Sequence, residues 1–71
     1  MELSARNQLK GTVKSITLGG VMAEVTIQLA DGQEIVSAVT RRSVENLGLQ
    51  EGDQAVAVIK AAEVLVGKLS R

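Results

Sequence analysis

The chain predicts an all-β fold of five strands with one short helix between the third and the fourth. Three observations carry this. Val21, Ala23, Val25, Ile27 and Leu29 are apolar while Glu24, Thr26 and Gln28 between them are polar, the period-two signature of a half-buried strand. Turn residues recur at Gly19-Gly20, Asp31-Gly32 and Glu51-Gly52-Asp53. Only the stretch from Thr40 to Gly48 has helical spacing together with capping residues.

Taken in order, residues 9–18 place Val13 and Ile16 among threonines and lysines and read as the first strand, with a bulge expected at Gly11. Gly19-Gly20 closes this strand onto the alternating segment 21–29. Asp31-Gly32 is expected to form a type I′ turn, whose twist matches that of flanking strands. The third strand then covers about residues 34–39. Its apolar members Ile35, Val36, Ala38 and Val39 fall on both parities, so burial on both faces is expected, as at a subunit contact. The helix has Thr40 or Ser43 as N-cap, Val44 and Leu47 on one face and Gly48 as terminator. A helix of two turns does not stand alone in water, so Val44, Leu47 and Leu49 are expected to plug one end of the sheet. Residues 55–59 form the fourth strand and Val64-Leu65-Val66 a short fifth. This is the element order of an OB-like Greek-key barrel. No linker, repeat or low-complexity tract interrupts it, and one domain covers residues 1–71.

Composition removes most chemistries. The 71 residues include no Cys, His, Phe, Tyr, Trp or Pro, so a Ser-His-Asp or Cys-His nucleophile cannot be built. A metal site of nitrogen and sulfur ligands is likewise excluded. A carboxylate pair such as Glu45 and Glu51 stands without a catalytic partner, so the chain is read as no enzyme. Eight basic residues balance eight acidic ones, whereas a nucleic-acid binder carries a basic surplus and stacking aromatics. No apolar run approaches the roughly 20 residues of a membrane span. The lack of cysteine, and of a basic-then-apolar leader at Met1-Glu2-Leu3-Ser4, predicts a cytoplasmic location. Apolar burial in so short a chain barely offsets ordering entropy, so homo-oligomerisation is expected.

What remains is donor chemistry. Ser4-Ala5-Arg6-Asn7-Gln8-Leu9-Lys10-Gly11 gathers hydroxyl, guanidinium and amide donors just before the first strand, and resembles half of an anion site. Lys60, closing the apolar run Ala55-Val56-Ala57-Val58-Ile59, is the candidate for the other half. Taken singly these residues have blander roles. Arg6 suits a surface salt bridge, Thr40 and Ser43 suit helix caps, and lysines commonly end strands at the solvent boundary. Asn7 and Gln8 are read as structural amides tying the entry of the first strand to a neighbour. Arg41-Arg42 reads as a solvated helix start.

Three motifs, SARNQLKGTV at the start, TRRSVENLGLQEGD in the middle and VIKAAEV near the end, together resemble the molbindins, the free-standing form of a small molybdate-binding (Mop-like, TOBE) domain. The resemblance spans essentially the whole chain. It implies a passive binder of molybdate or tungstate in which two chains exchange a strand and dimers assemble into a hexamer. The implied oxyanion site lies between subunits and uses Ser4 and Arg6 from one segment and Thr40, Ser43, Lys60 and the backbone of Ala61 from another. Ala61 departs from a serine frequent after this lysine in related chains. Gly19, Gly20 and Val21 are candidates for a second oxyanion site on a symmetry axis, with a plain tight hairpin as the favoured reading of the same residues. No metal is expected except as the oxyanion. The sequence thus points to molybdate storage or homeostasis, with a non-catalytic oligomeric protein-interaction module as the alternative.

Overall fold

A computed structural model of the chain describes residues 4–70. Met1-Glu2-Leu3, which bear on the leader expectation, lie outside the described residues. Four strands form one antiparallel sheet: β1 (Asn7–Leu18), β2 (Met22–Leu29), β3 (Glu34–Thr40) and β4 (Gln54–Ile59), in the order β3-β2-β1-β4. The helix α1 (Arg41–Leu47) joins β3 to β4, and a single 3-10 turn (Ala61–Glu63) follows β4.

The sheet curls around β1, whose first half pairs with β4 and whose second half pairs with β2. Gly11 sits at the handover, in register with Leu29 on one side and Ala55 on the other. A Cβ there would lie 2.5 Å from the Gln28 carbonyl oxygen, so only glycine fits. The bulge expected at Gly11 is found two residues later, where the register with β2 shifts between Val13 and Ser15. Gly11 is paired on both sides and leaves no slack for an extra residue. Val13 instead turns its backbone to the loop before β4, donating N–H to the Asp53 carbonyl at 2.8 Å and accepting from Gly52 N–H at 2.8 Å. Lys14, freed by the shift, pairs with Glu34 across the sheet.

Gly19-Gly20 closes the first hairpin as expected, with Gly19 N–H bonded to the Met22 carbonyl at 2.8 Å. The second hairpin is not type I′. That turn needs positive φ at both central residues, whereas Gly32 has φ 90° and no non-glycine described residue has positive φ. Gly32 N–H bonds the Leu29 carbonyl (3.0 Å) and Leu29 N–H bonds the Gln33 carbonyl (2.7 Å), so a three-residue loop carries its left-handed residue last. Asp31 accepts from Gln33 N–H at 3.0 Å, which holds the backbone in this form without asking Asp31 for a left-handed conformation.

α1 begins where the caps place it. Thr40, in an extended conformation, accepts from Ser43 N–H at 3.1 Å and is the N-cap, settling the choice between Thr40 and Ser43. Gly48 ends the helix at φ 63° with its N–H on the Glu45 carbonyl, while Leu49 N–H reaches the Val44 carbonyl. This pair of bonds brings Leu49 over Val44. Val44 is buried and Leu49 packs against the core, but Leu47 is 74% exposed. Three residues beyond Val44, it lies in the wall of an open concavity instead of in the core.

The core joins Val13, Ala23, Val25, Ile27, Val44 and Ala57, all from one face of the sheet and the helix that covers it. β3 alternates cleanly, with Ile35, Ser37 and Val39 half-buried and Val36 59% exposed in the single chain. The fifth strand is not formed: Val64, Leu65 and Val66 carry no regular structure, and Leu65 is 94% exposed. The open sheet leaves β3 and β4 as edge strands, and within one chain this segment pairs with neither. The fold is therefore a mostly-β, curled antiparallel sheet with one helix. Among the described residues no helix is long and apolar enough to cross a membrane.

Candidate functional site

The register of β1 against β4 decides the site. Asn7 lies opposite Ile59, so the residues one step beyond, Arg6 and Lys60, leave the same end of the sheet side by side. Ser4, Ala5, Arg6, Lys60, Ala61 and Ala62 line one surface hollow of about 350 Å³. The amino-terminal donors and the lysine some fifty positions later thus share a cavity. Two side-chain amides shape it. Asn7 Nδ2 donates to the Ile59 carbonyl at 3.1 Å, and Gln8 Nε2 donates to the Ala5 carbonyl at 2.8 Å. Among the described residues the ion pairs are Lys14–Glu34 and Arg41–Glu45, and neither involves Arg6 or Lys60. The hollow therefore presents a guanidinium, an ammonium and a hydroxyl to solvent, the donor set that a tetrahedral dianion can accept from.

Thr40 and Ser43 are elsewhere in the chain. Thr40 pairs with Met22, at the end of the sheet where β1 finishes, and β1 is 12 residues long, on the order of 35 Å at about 3.3 Å per residue. Thr40 lines a second hollow of about 440 Å³ with Gly20, Val21, Arg41, Arg42 and Glu45, while its Oγ1 sits 2.7 Å from Ser43 Oγ. One small oxyanion cannot touch both hollows of a single chain. Gly20 and Val21, candidates for a second site, do line a concave surface, and Gly19 gives its carbonyl to Arg41 Nη1 at 3.2 Å.

Arg41 is the residue that the reading of a solvated helix start understated. It is half-buried, its N–H bonds the Val21 carbonyl at 2.8 Å, and its Nε lies 3.4 Å from Glu45 Oε2. The Arg41/Glu45 spacing of four was the available signal. A third concavity, about 420 Å³ and mainly apolar, opens between β3 and the start of β4, with Val39, Val44, Leu47, Leu49 and Ala55 in its wall.

The fold is that of a small curled sheet with a donor-lined hollow at each end. The chain belongs to the TOBE domain family, whose sequence model matches residues 3–66. It is 44% identical over 66 residues to molybdenum-pterin-binding protein 3 of Clostridium pasteurianum, spanning 93% of this chain and 97% of that one. A molybdate binding protein from Sporomusa ovata has the same fold, with TM-score 0.90 at 44% identity over 96% of this chain and 100% of that chain. The cytoplasmic molybdate-binding protein ModG, solved with molybdate bound, matches with TM-score 0.82 at 57% identity, covering 86% of this chain and 43% of ModG. The resemblance drawn from the three motifs is thereby borne out.

Proposed function

We propose that this chain binds molybdate, and tungstate by the same contacts, and serves in the cytoplasm to store or buffer the oxyanion. The observation that carries this reading is the convergence of Ser4, Arg6, Lys60 and Ala61 on one hollow in a chain this similar to molybdate-binding proteins. Arg6 and Lys60 supply charge, Ser4 a hydroxyl and Ala61 a peptide N–H. With alanine at position 61 the backbone stands where a hydroxyl could otherwise have added a contact. No bond is made or broken.

Thr40 and Ser43 enter this site from a second copy. The separation of the two hollows along β1 requires it if all six residues are to act on one ion. The same pairing gives the apolar end of the chain a place. Val64-Leu65-Val66 of one copy extends the other's sheet as a fifth, exchanged strand, closing the apolar concavity between β3 and β4 into a barrel. The exposure of Leu65 and the apolar wall of that concavity support this arrangement. A hexamer, as three such dimers, is the proposed assembly.

The test is a melting curve with and without saturating molybdate, together with elemental analysis per chain. At a hundredfold excess over Kd, binding to the folded state adds about 2.7 kcal/mol, which for a chain of this size raises Tm by about 10 °C or more. The double variant Arg6→Ala/Lys60→Ala should remain folded and lose that rise. An unchanged melting temperature in the wild type, at any molybdate concentration, would refute the proposal.

A further inference from the structure

We infer that Asn7 is a positioning residue for the oxyanion hollow, with Gln8 as its counterpart on the other wall; the inference rests on the molybdate reading above. The hollow has two walls of different origin. One is the segment Ser4-Ala5-Arg6, which precedes β1, and the other is Lys60-Ala61-Ala62, which follows β4. Both lie just past the end of the sheet, where ladder hydrogen bonds no longer fix the backbone. Lys60 and Ala61 are exposed, and the core cluster contains no residue of either wall.

The 3-10 turn holds the second wall from behind, with Glu63 N–H on the Lys60 carbonyl at 2.9 Å, and Asn7 and Gln8 add the side-chain ties that join each wall to the sheet. Asn7 is half-buried at the last β1–β4 register position, and its Nδ2 reaches the carbonyl of Ile59. That carbonyl belongs to the peptide joining Ile59 to Lys60. Fixing its plane fixes the direction in which the chain leaves β4 and hence where the Lys60 side chain and the Ala61 N–H start. Gln8 does the same on the facing wall, where its Nε2 holds the Ala5 carbonyl, in the peptide joining Ala5 to Arg6. Each side-chain amide therefore orients the peptide immediately before one of the two cations. Neither Asn7 nor Gln8 lines the hollow, so neither acts as a ligand. Donors held in place before the ion arrives lose less freedom on binding, which is how such clasps raise affinity.

The variants are Asn7→Leu, which keeps the side-chain size and removes the amide, and Asn7→Ser, whose hydroxyl falls short of Ile59. The probe is sodium molybdate, with affinity read by titration calorimetry, stability by melting without ligand, and backbone order by ¹⁵N relaxation. We expect an apo Tm close to wild type and order parameters at Lys60 and Ala61 falling from the rigid range near about 0.85 to below about 0.6. Molybdate Kd should rise about tenfold, equivalent to about 1.4 kcal/mol. In Gln8→Leu the loss of order should appear at Ala5 and Arg6 instead. Wild-type order at Lys60 and Ala61 in both Asn7 variants would overturn the inference, as would lost order with unchanged Kd. Unfolding of both variants would assign Asn7 to the fold itself and overturn it too. If the wild type binds no molybdate, the functional reading fails, and the order parameters alone decide whether Asn7 holds the β4 exit.

Discussion

Gly11→Ala tests the geometry that bends this sheet. At the handover between β4 and β2, the added Cβ would lie 2.5 Å from the Gln28 carbonyl oxygen, 2.7 Å from Ile27 Cγ2 and 3.1 Å from the Gln28 carbonyl carbon. The Ile27 methyl can rotate away, but the Gln28 backbone cannot. Gln28 is held in register with Thr12 on one side and Glu34 on the other, so relief must come from parting β1 and β2. Overpacking costs typically about 1–3 kcal/mol, and an immovable backbone partner puts this site at the upper end, about 3 kcal/mol. For a chain of this size each kcal/mol moves Tm by about 4–8 °C, so the expected fall is about 12–24 °C. Gly20→Ala is the control. No atom lies within 4 Å of its added Cβ and its φ is not positive, so it should be neutral, or stabilising by up to about 1 kcal/mol through the unfolded chain. Both are read by circular dichroism melts at matched protein concentration and without oxyanion, since assembly and ligand each shift Tm. A Gly11→Ala variant melting within about 3 °C of wild type would refute the close approach and with it the handover of β1.

Thr40→Ala removes the acceptor that caps α1 and should cost about 1 kcal/mol, with Thr40→Ser recovering most of it; equal melting of all three proteins would show that the cap contributes nothing. The Asp31 turn should show a pH signature. Hydrogen bonds from the Gln33 side chain and then the Gln33 backbone N–H hold the Asp31 carboxyl below the usual carboxylate range. A depressed folded-state pKa gives stability that is present above the unfolded pKa and disappears as pH falls through the folded one. The stability gap between wild type and Gln33→Ala should therefore be present at pH 7 and shrink below about pH 4; a gap that grows on acidification would contradict it.

The parts of the fold that the chain shows on its face are those set by local rules. Alternation at Ala23, Val25 and Ile27 placed β2 and the core face because side chains in a strand alternate whatever the rest of the chain does. Thr40 and Gly48 bracketed α1 because a capping hydroxyl and a left-handed glycine act within a few residues. The features that went astray depend on distant partners. The bulge moved from Gly11 to the Val13–Ser15 step because two neighbouring strands compete for β1, and Leu47 stayed exposed because burial depends on what the helix lies against. Val64-Leu65-Val66 has the composition of a strand but joins neither open edge of its own sheet, and composition does not say which edge a strand uses.

The candidate site divides in the same way. The residue types of an anion site, hydroxyl, guanidinium, ammonium and amide, were legible in the sequence alone. That Arg6 meets Lys60 was decided by the register of Asn7 with Ile59, a long-range pairing that no local pattern encodes. That Thr40 and Ser43 lie far from them in the same chain was decided by the length of β1 and the order of the strands. Donor chemistry is a property of side chains and travels with the string, whereas convergence is a property of backbone pairing and exists only once β1 and β4 have paired in register.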